Sequence, residues 1–108
     1  MEQKNLEKID TLVRRWGVPL QLILTMEEAS ELATVCSKVL RGYGTREKLV
    51  DSLADMYVML QTMCMVYGIT PEELEAIAGN KLDAGLAKPY EEQQEKPQGE
   101  PPVEEEKK

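Results

Sequence analysis

Apolar side chains return at every third or fourth position from Leu6 to Leu86, and strict alternation persists nowhere, so the pattern predicts helices across residues 1–88. Four helices fit. The first, about 3–16, runs through Leu6, Ile9, Leu12, Val13 and Trp16 and stops at Gly17. The second, about 19–41, opens at Pro19, which a first turn tolerates, and ends before Gly42-Tyr43-Gly44. Thr45 can cap the third, which continues to about Tyr67 and meets Gly68. The fourth opens on Thr70-Pro71-Glu72-Glu73, which joins an N-cap, a proline at the first helical position and a capping-box glutamate, and it should fade before Pro89.

Residues 89–108 break the pattern. With Pro97, Pro101, Pro102 and the single aliphatic Val103, this segment cannot bury enough apolar surface to offset its ordering entropy, and it is expected to be a disordered acidic tail. Of the net charge of −7, residues 91–108 carry seven acids against three bases. The expected organisation is therefore one all-α domain over 1–88 and a solubilising extension over 89–108.

The chain has 108 residues, no Phe and one Trp. A domain this small buries only about two-thirds of its unfolded surface, so its helical bundle is expected to be completed by oligomerisation. There is no His, which removes the usual general base, the Ser/Cys–His nucleophile pairs and every His-containing zinc site. Chemistry must then run on carboxylates, Lys/Arg, hydroxyls or a hard metal. Cys36 and Cys64 form no CxxC pair, and both fall on apolar arcs, so they are expected to be buried, reduced thiols. The N-terminal MEQKNLEKID is charged where a signal peptide would be apolar, and no run of about 18 apolar residues interrupts the chain. A soluble cytoplasmic protein with no membrane partner is expected. An acidic body without a basic stripe also argues against nucleic-acid binding.

Within the helices, a few acids stand on apolar faces. At roughly 100° per residue on the second helix, Leu24, Ala29, Leu32, Val35, Cys36, Val39 and Leu40 span an arc from roughly −40° to +120° about Glu28. Glu28 lies inside that arc, Glu31 on its rim near −60°, and Glu27 points away near −100°. A carboxylate on a buried face is costly unless paired, hydrogen-bonded or bound to a cation, so Glu28 needs an explanation that Glu27 does not. On the third helix, Leu49, Leu53, Met56, Met59, Leu60, Met63 and Val66 span roughly +20° to +160° about Asp55. This places Asp55 on the rim, Ser52 inside near +60° and Asp51 just outside near −40°. A short loop makes these helices antiparallel neighbours, which can bring Glu28 and Glu31 to face Asp55. Oxygen-only ligands of this kind favour Mg²⁺, often shared with a substrate phosphate, although ordinary solvated acids produce the same pattern.

The ordered combination resembles the MazG-like, all-α nucleoside triphosphate pyrophosphohydrolases, whose signature is EExxE on one helix and ExxD on the next. Glu27-Glu28-Ala29-Ser30-Glu31 matches the first half, and Asp51-Ser52-Leu53-Ala54-Asp55-Met56 resembles the second. The resemblance extends over residues 5–88, through Gln21-Leu22, Val39-Leu40-Arg41-Gly42, Met59-Leu60 and Tyr67-Gly68-Ile69. It implies a four-helix fold, dimers or tetramers, and hydrolysis of a nucleoside triphosphate to the monophosphate and pyrophosphate with Mg²⁺, or Mn²⁺ in its place. Carried over residue by residue, the metal ligands are Glu28, Glu31 and Asp55. Ser52 occupies the fourth, degenerate position, with Asp51 beside it as a substitute, and Glu27 or Glu31 helps deprotonate the attacking water. Lys81 with Asn80 resembles a phosphate-contacting pair in the family's last helix.

Lys38, Arg41, Arg46 and Lys48 flank the loop between the motif helices, where triphosphate oxygens could reach them. Trp16 and Tyr43 could stack on a base, but Trp16 is expected to pack in the small core. A neutral hydroxyl at Ser52 leaves a second reading: a catalytically weakened or inactive relative that serves as a nucleotide-binding or protein-interaction module.

Overall fold

The computed structural model describes residues 1–88, which form four helices: α1 (Gln3–Trp16), α2 (Val18–Leu40), α3 (Arg46–Tyr67) and α4 (Pro71–Ala87). The described residues contain no strand, and the protein is all-α there. The expected tail, 89–108, lies outside the described residues.

Local chemistry sets the helix ends. The Gly17 N–H donates to the Val13 carbonyl and closes α1, and α2 begins at once with Pro19 in its first turn. At the other end of α2, the Tyr43 and Gly44 N–H groups donate to the Lys38 carbonyl at 2.8 and 3.2 Å, satisfying acceptors that the helix end leaves open. Gly44 is required for a steric reason: a Cβ there would lie 2.9 Å from the Val39 Cα, a backbone atom that cannot step aside. Thr45 Oγ1 then accepts from the Lys48 N–H at 3.2 Å and caps α3. Gly68, at φ 66°, ends α3 in the left-handed conformation.

Helices α1–α3 form one compact unit, Met1–Thr70, in which α2 and α3 are the principal pair and α1 packs on both. Helix α4 belongs to a second unit that begins at Pro71, and none of its residues is buried. The core of the first unit is thin. Ile9, Val35 and Met59 are its buried apolar members, and three polar residues, Gln21, Ser52 and Thr62, are buried with them.

Three expectations change. The packed face of α3 is rotated from the expected arc: it centres on Ser52, Asp55, Met59 and Thr62, while Leu53 and Leu60 are exposed. Asp55 thus stands within that face rather than on its rim. The reason is that α3 carries two apolar sets on roughly opposite sides, which a single arc merges. The second set, Val50, Leu53, Tyr57, Leu60 and Tyr67, is exposed. With so much apolar surface, α3 is by length and composition long and apolar enough to cross a bilayer, even though Asp51 and Asp55 interrupt it. Second, Cys36 is exposed, because the apolar arc of α2 is wider than the surface that α1 and α3 cover, and Cys64, on the outer side of α3, is only half-buried. Third, Trp16 is 58 % exposed, at the last residue of α1, where the chain turns away at Gly17.

Candidate active-site groove

Helices α2 and α3 are joined by the five residues 41–45 and run antiparallel, so each step toward the start of α2 is matched by a step toward the end of α3. Glu28 and Asp55 meet across this seam, with Asp55 close enough to hydrogen-bond Glu28. One turn away, Leu24 stands at the level of Val58 and Met59. Two turns away, Gln21 stands at the level of Thr62. Leu24, Val58 and Met59 line the middle of an open groove of about 460 Å³ on this face, Leu20 lines it beyond Gln21, and Leu12 and Trp16 of α1 form one flank. Its polar groups are Glu28 and Asp55 at one level and Gln21 and Thr62 at the other.

The acidic end is electrostatically strained. Partial burial holds the Glu28 carboxyl above its ordinary value of 4.5, reinforced by the charge of Asp55, by the hydrogen bond with it, and by the charges of Glu27 and Glu31. Two carboxyl groups in contact share a proton or attract a cation. Glu27 and Glu31 are exposed on either side of Glu28 and reach it only through their charge.

Ser52 is 3 % exposed, and its Oγ has no hydrogen-bond partner. An unpartnered buried hydroxyl is destabilising, and it is rare enough to mark a position that a further group completes. Asp51, next to it, is exposed. Among the described residues no three His, Cys, Asp or Glu side chains converge closely enough to hold a metal ion by themselves. The Glu28–Asp55 pair nevertheless fits Mg²⁺, which binds through one or two carboxylates and fills its other positions with water and substrate phosphates.

The basic residues are more scattered. Lys38, Arg41, Arg46 and Lys48 are exposed around the α2–α3 loop, and Arg41 is committed locally, its guanidinium 5.4 Å from the Tyr43 ring centre and its Nε donating to the Ser37 carbonyl at 3.3 Å. Asn80 and Lys81 are exposed on α4, in the second unit.

Gln21 and Thr62 are the groove residues that the acidic motifs do not reveal. A signal existed, since each lies seven residues from a motif acid, and a seven-residue spacing returns to nearly the same helix face.

No family model matches the chain, and no curated protein or solved structure matches it.

Proposed function

We propose that the chain is a MazG-like nucleoside triphosphate pyrophosphohydrolase, which with Mg²⁺ or Mn²⁺ cleaves nucleoside or deoxynucleoside triphosphates between the α- and β-phosphates. The observation that carries this reading is the meeting of Glu28 and Asp55, one from each half of the acidic signature, at the head of a groove. Two carboxylates held together repel at neutral pH, and a hard cation with phosphate oxygens relieves that repulsion.

In this mechanism Glu28 and Asp55 would hold the cation at one end of the groove. When bound, Mg²⁺ neutralises phosphate charge and lowers the pKa of coordinated water. Glu31, one turn on from Glu28 and about 60° round the helix, takes the proton from the attacking water, with Glu27 as the neighbouring exposed carboxylate. Water adds to phosphorus, the bond between the α- and β-phosphates breaks, and monophosphate and pyrophosphate leave. Ser52 contributes a neutral oxygen where the family's pattern has a carboxylate. Lys38 and Arg46 are the candidates for countering the remaining phosphate charge.

The protein is further proposed to act in the cytoplasm as a homodimer or homotetramer. Val50, Leu53, Tyr57, Leu60, Cys64 and Tyr67 follow one another at alternating three- and four-residue steps on the outer side of α3, the spacing of a helix–helix seam, and all but half-buried Cys64 are exposed.

The second reading, an inactive relative that binds nucleotides or protein partners, is favoured by one observation: a neutral hydroxyl, buried at Ser52, stands where the acidic signature has a charged ligand. Incubation with Mg²⁺ and a panel of triphosphates separates the two. Pyrophosphate release that Glu28→Gln and Asp55→Asn each reduce at least about 100-fold supports the enzyme. Binding of nucleotide without turnover supports the inactive relative.

A further inference from the structure

The end of the groove away from the acids holds a second polar pair. Gln21 is 5 % exposed and lines the groove, while its backbone N–H donates to the Gly17 carbonyl at 3.4 Å and its carbonyl accepts from Thr25 Oγ1 at 2.8 Å. Thr62, 2 % exposed, donates its hydroxyl proton to the Val58 carbonyl at 2.7 Å, which leaves its oxygen as an acceptor only. Both line the groove, and the antiparallel register places them at one level. Polar side chains that line an otherwise apolar groove are placed to take up the hydrogen bonds of a ligand lying in it.

We infer that Gln21 and Thr62 read the edge of a nucleobase, and that the edge they fit is an amino group beside a ring nitrogen, as in cytosine and adenine. The inference rests on the proposed triphosphate chemistry at Glu28 and Asp55, and specifies the other half of the same substrate. An exocyclic amino group has two hydrogens, which match the two acceptors Gln21 Oε1 and Thr62 Oγ1. The adjacent ring nitrogen accepts from Gln21 Nε2. Deaminated bases, uracil and hypoxanthine, present a carbonyl where the amino group would be, and set its oxygen against the acceptor-only Thr62. Leu24 and Met59 supply the apolar middle of the groove, and the exposed ring of Trp16 offers a stacking face at its flank. Seven residues along α2 separate Gln21 from Glu28, about 10.5 Å of helix, which is on the order of the length of a nucleoside between its base edge and its phosphates.

Trp16 is the only tryptophan in the chain, so its emission reports on the groove without any need for turnover. The full-length protein with Mg²⁺ is titrated with dCMP, dAMP, dUMP and dIMP, none of which is a substrate. Saturable quenching is expected with dCMP or dAMP, and at least about tenfold weaker binding of its deaminated counterpart. Gln21→Met, of similar shape, should erase that preference while leaving the thermal midpoint unchanged or higher. Thr62→Val provides a second variant with the same expected loss of preference. Equal binding of aminated and deaminated forms, or a preference that survives both variants, overturns the inference. Pyrophosphate release without any Trp16 response overturns it too, and leaves the proposed chemistry standing. Failure of both removes the proposed function together with the base site. An emission that follows protein concentration and ignores nucleotide assigns the groove to a second copy of the chain, and overturns the inference as well.

Discussion

Glu28 is a half-buried acid beside another acid, and its elevated pKa has a definite consequence for stability. Protonation of Glu28 is easier in the folded state than in the unfolded one, so its contribution is fully present below about pH 4.5 and is lost as pH rises through the elevated value. Thermal melts of the wild type and Glu28→Gln should therefore differ by an amount that shifts in favour of the variant as pH climbs from about 4 through the mildly acidic range. A difference independent of pH would mean that Glu28 does not sense Asp55. Ser52 supports a sharper expectation. Its buried hydroxyl has no partner, so Ser52→Ala should raise stability in chemical denaturation by about 1 kcal/mol in metal-free buffer. A loss of that size would place a bound water or ion on the hydroxyl. At this scale the distinction between Glu28 and Glu27 was legible in sequence, because their 100° separation puts only one on an apolar face. Gln21 and Thr62 were legible only as sharing a face with the acids, through their seven-residue spacing; that they are buried depends on packing that the spacing does not show.

The α2–α3 hairpin depends on few buried side chains, with Met59 central among them and Gly44 permitting the turn. Met59→Ala should cost about 2–5 kcal/mol, measured by urea denaturation, whereas the same truncation at Leu40, which is 87 % exposed, should stay within about 0.5 kcal/mol. Comparable losses at the two positions would contradict this assignment of the core. Helix ends were readable to within a residue because Gly17, Thr45, Gly68 and Pro71 act locally, through φ, capping and the missing proline N–H. The rotation of α3 was not readable. Its apolar residues occupy two faces, and periodicity alone cannot say which one meets α1 and α2 and which stays outside.

Across the whole molecule, apolar residues exceed the places where α1–α3 can bury them. Leu53, Tyr57 and Leu60 on the outer side of α3 are the most orderly of the exposed set. If that seam joins copies, sedimentation will find a dimer or tetramer for the wild type, and Tyr57→Glu with Leu60→Glu will yield a smaller species that remains helical by circular dichroism. A monomeric wild type would contradict it. Oligomerisation is also what composition leads one to expect, because a small domain with no Phe and few aromatics has little with which to fill a core of its own. The role of the acidic pair shows in the products of the reaction. With Mg²⁺ and dCTP or dATP, monophosphate and pyrophosphate are expected in equal amounts, with at least about 100-fold loss in Glu28→Gln. Release of diphosphate and inorganic phosphate, or no turnover of any triphosphate together with no Mg²⁺ binding, would contradict it.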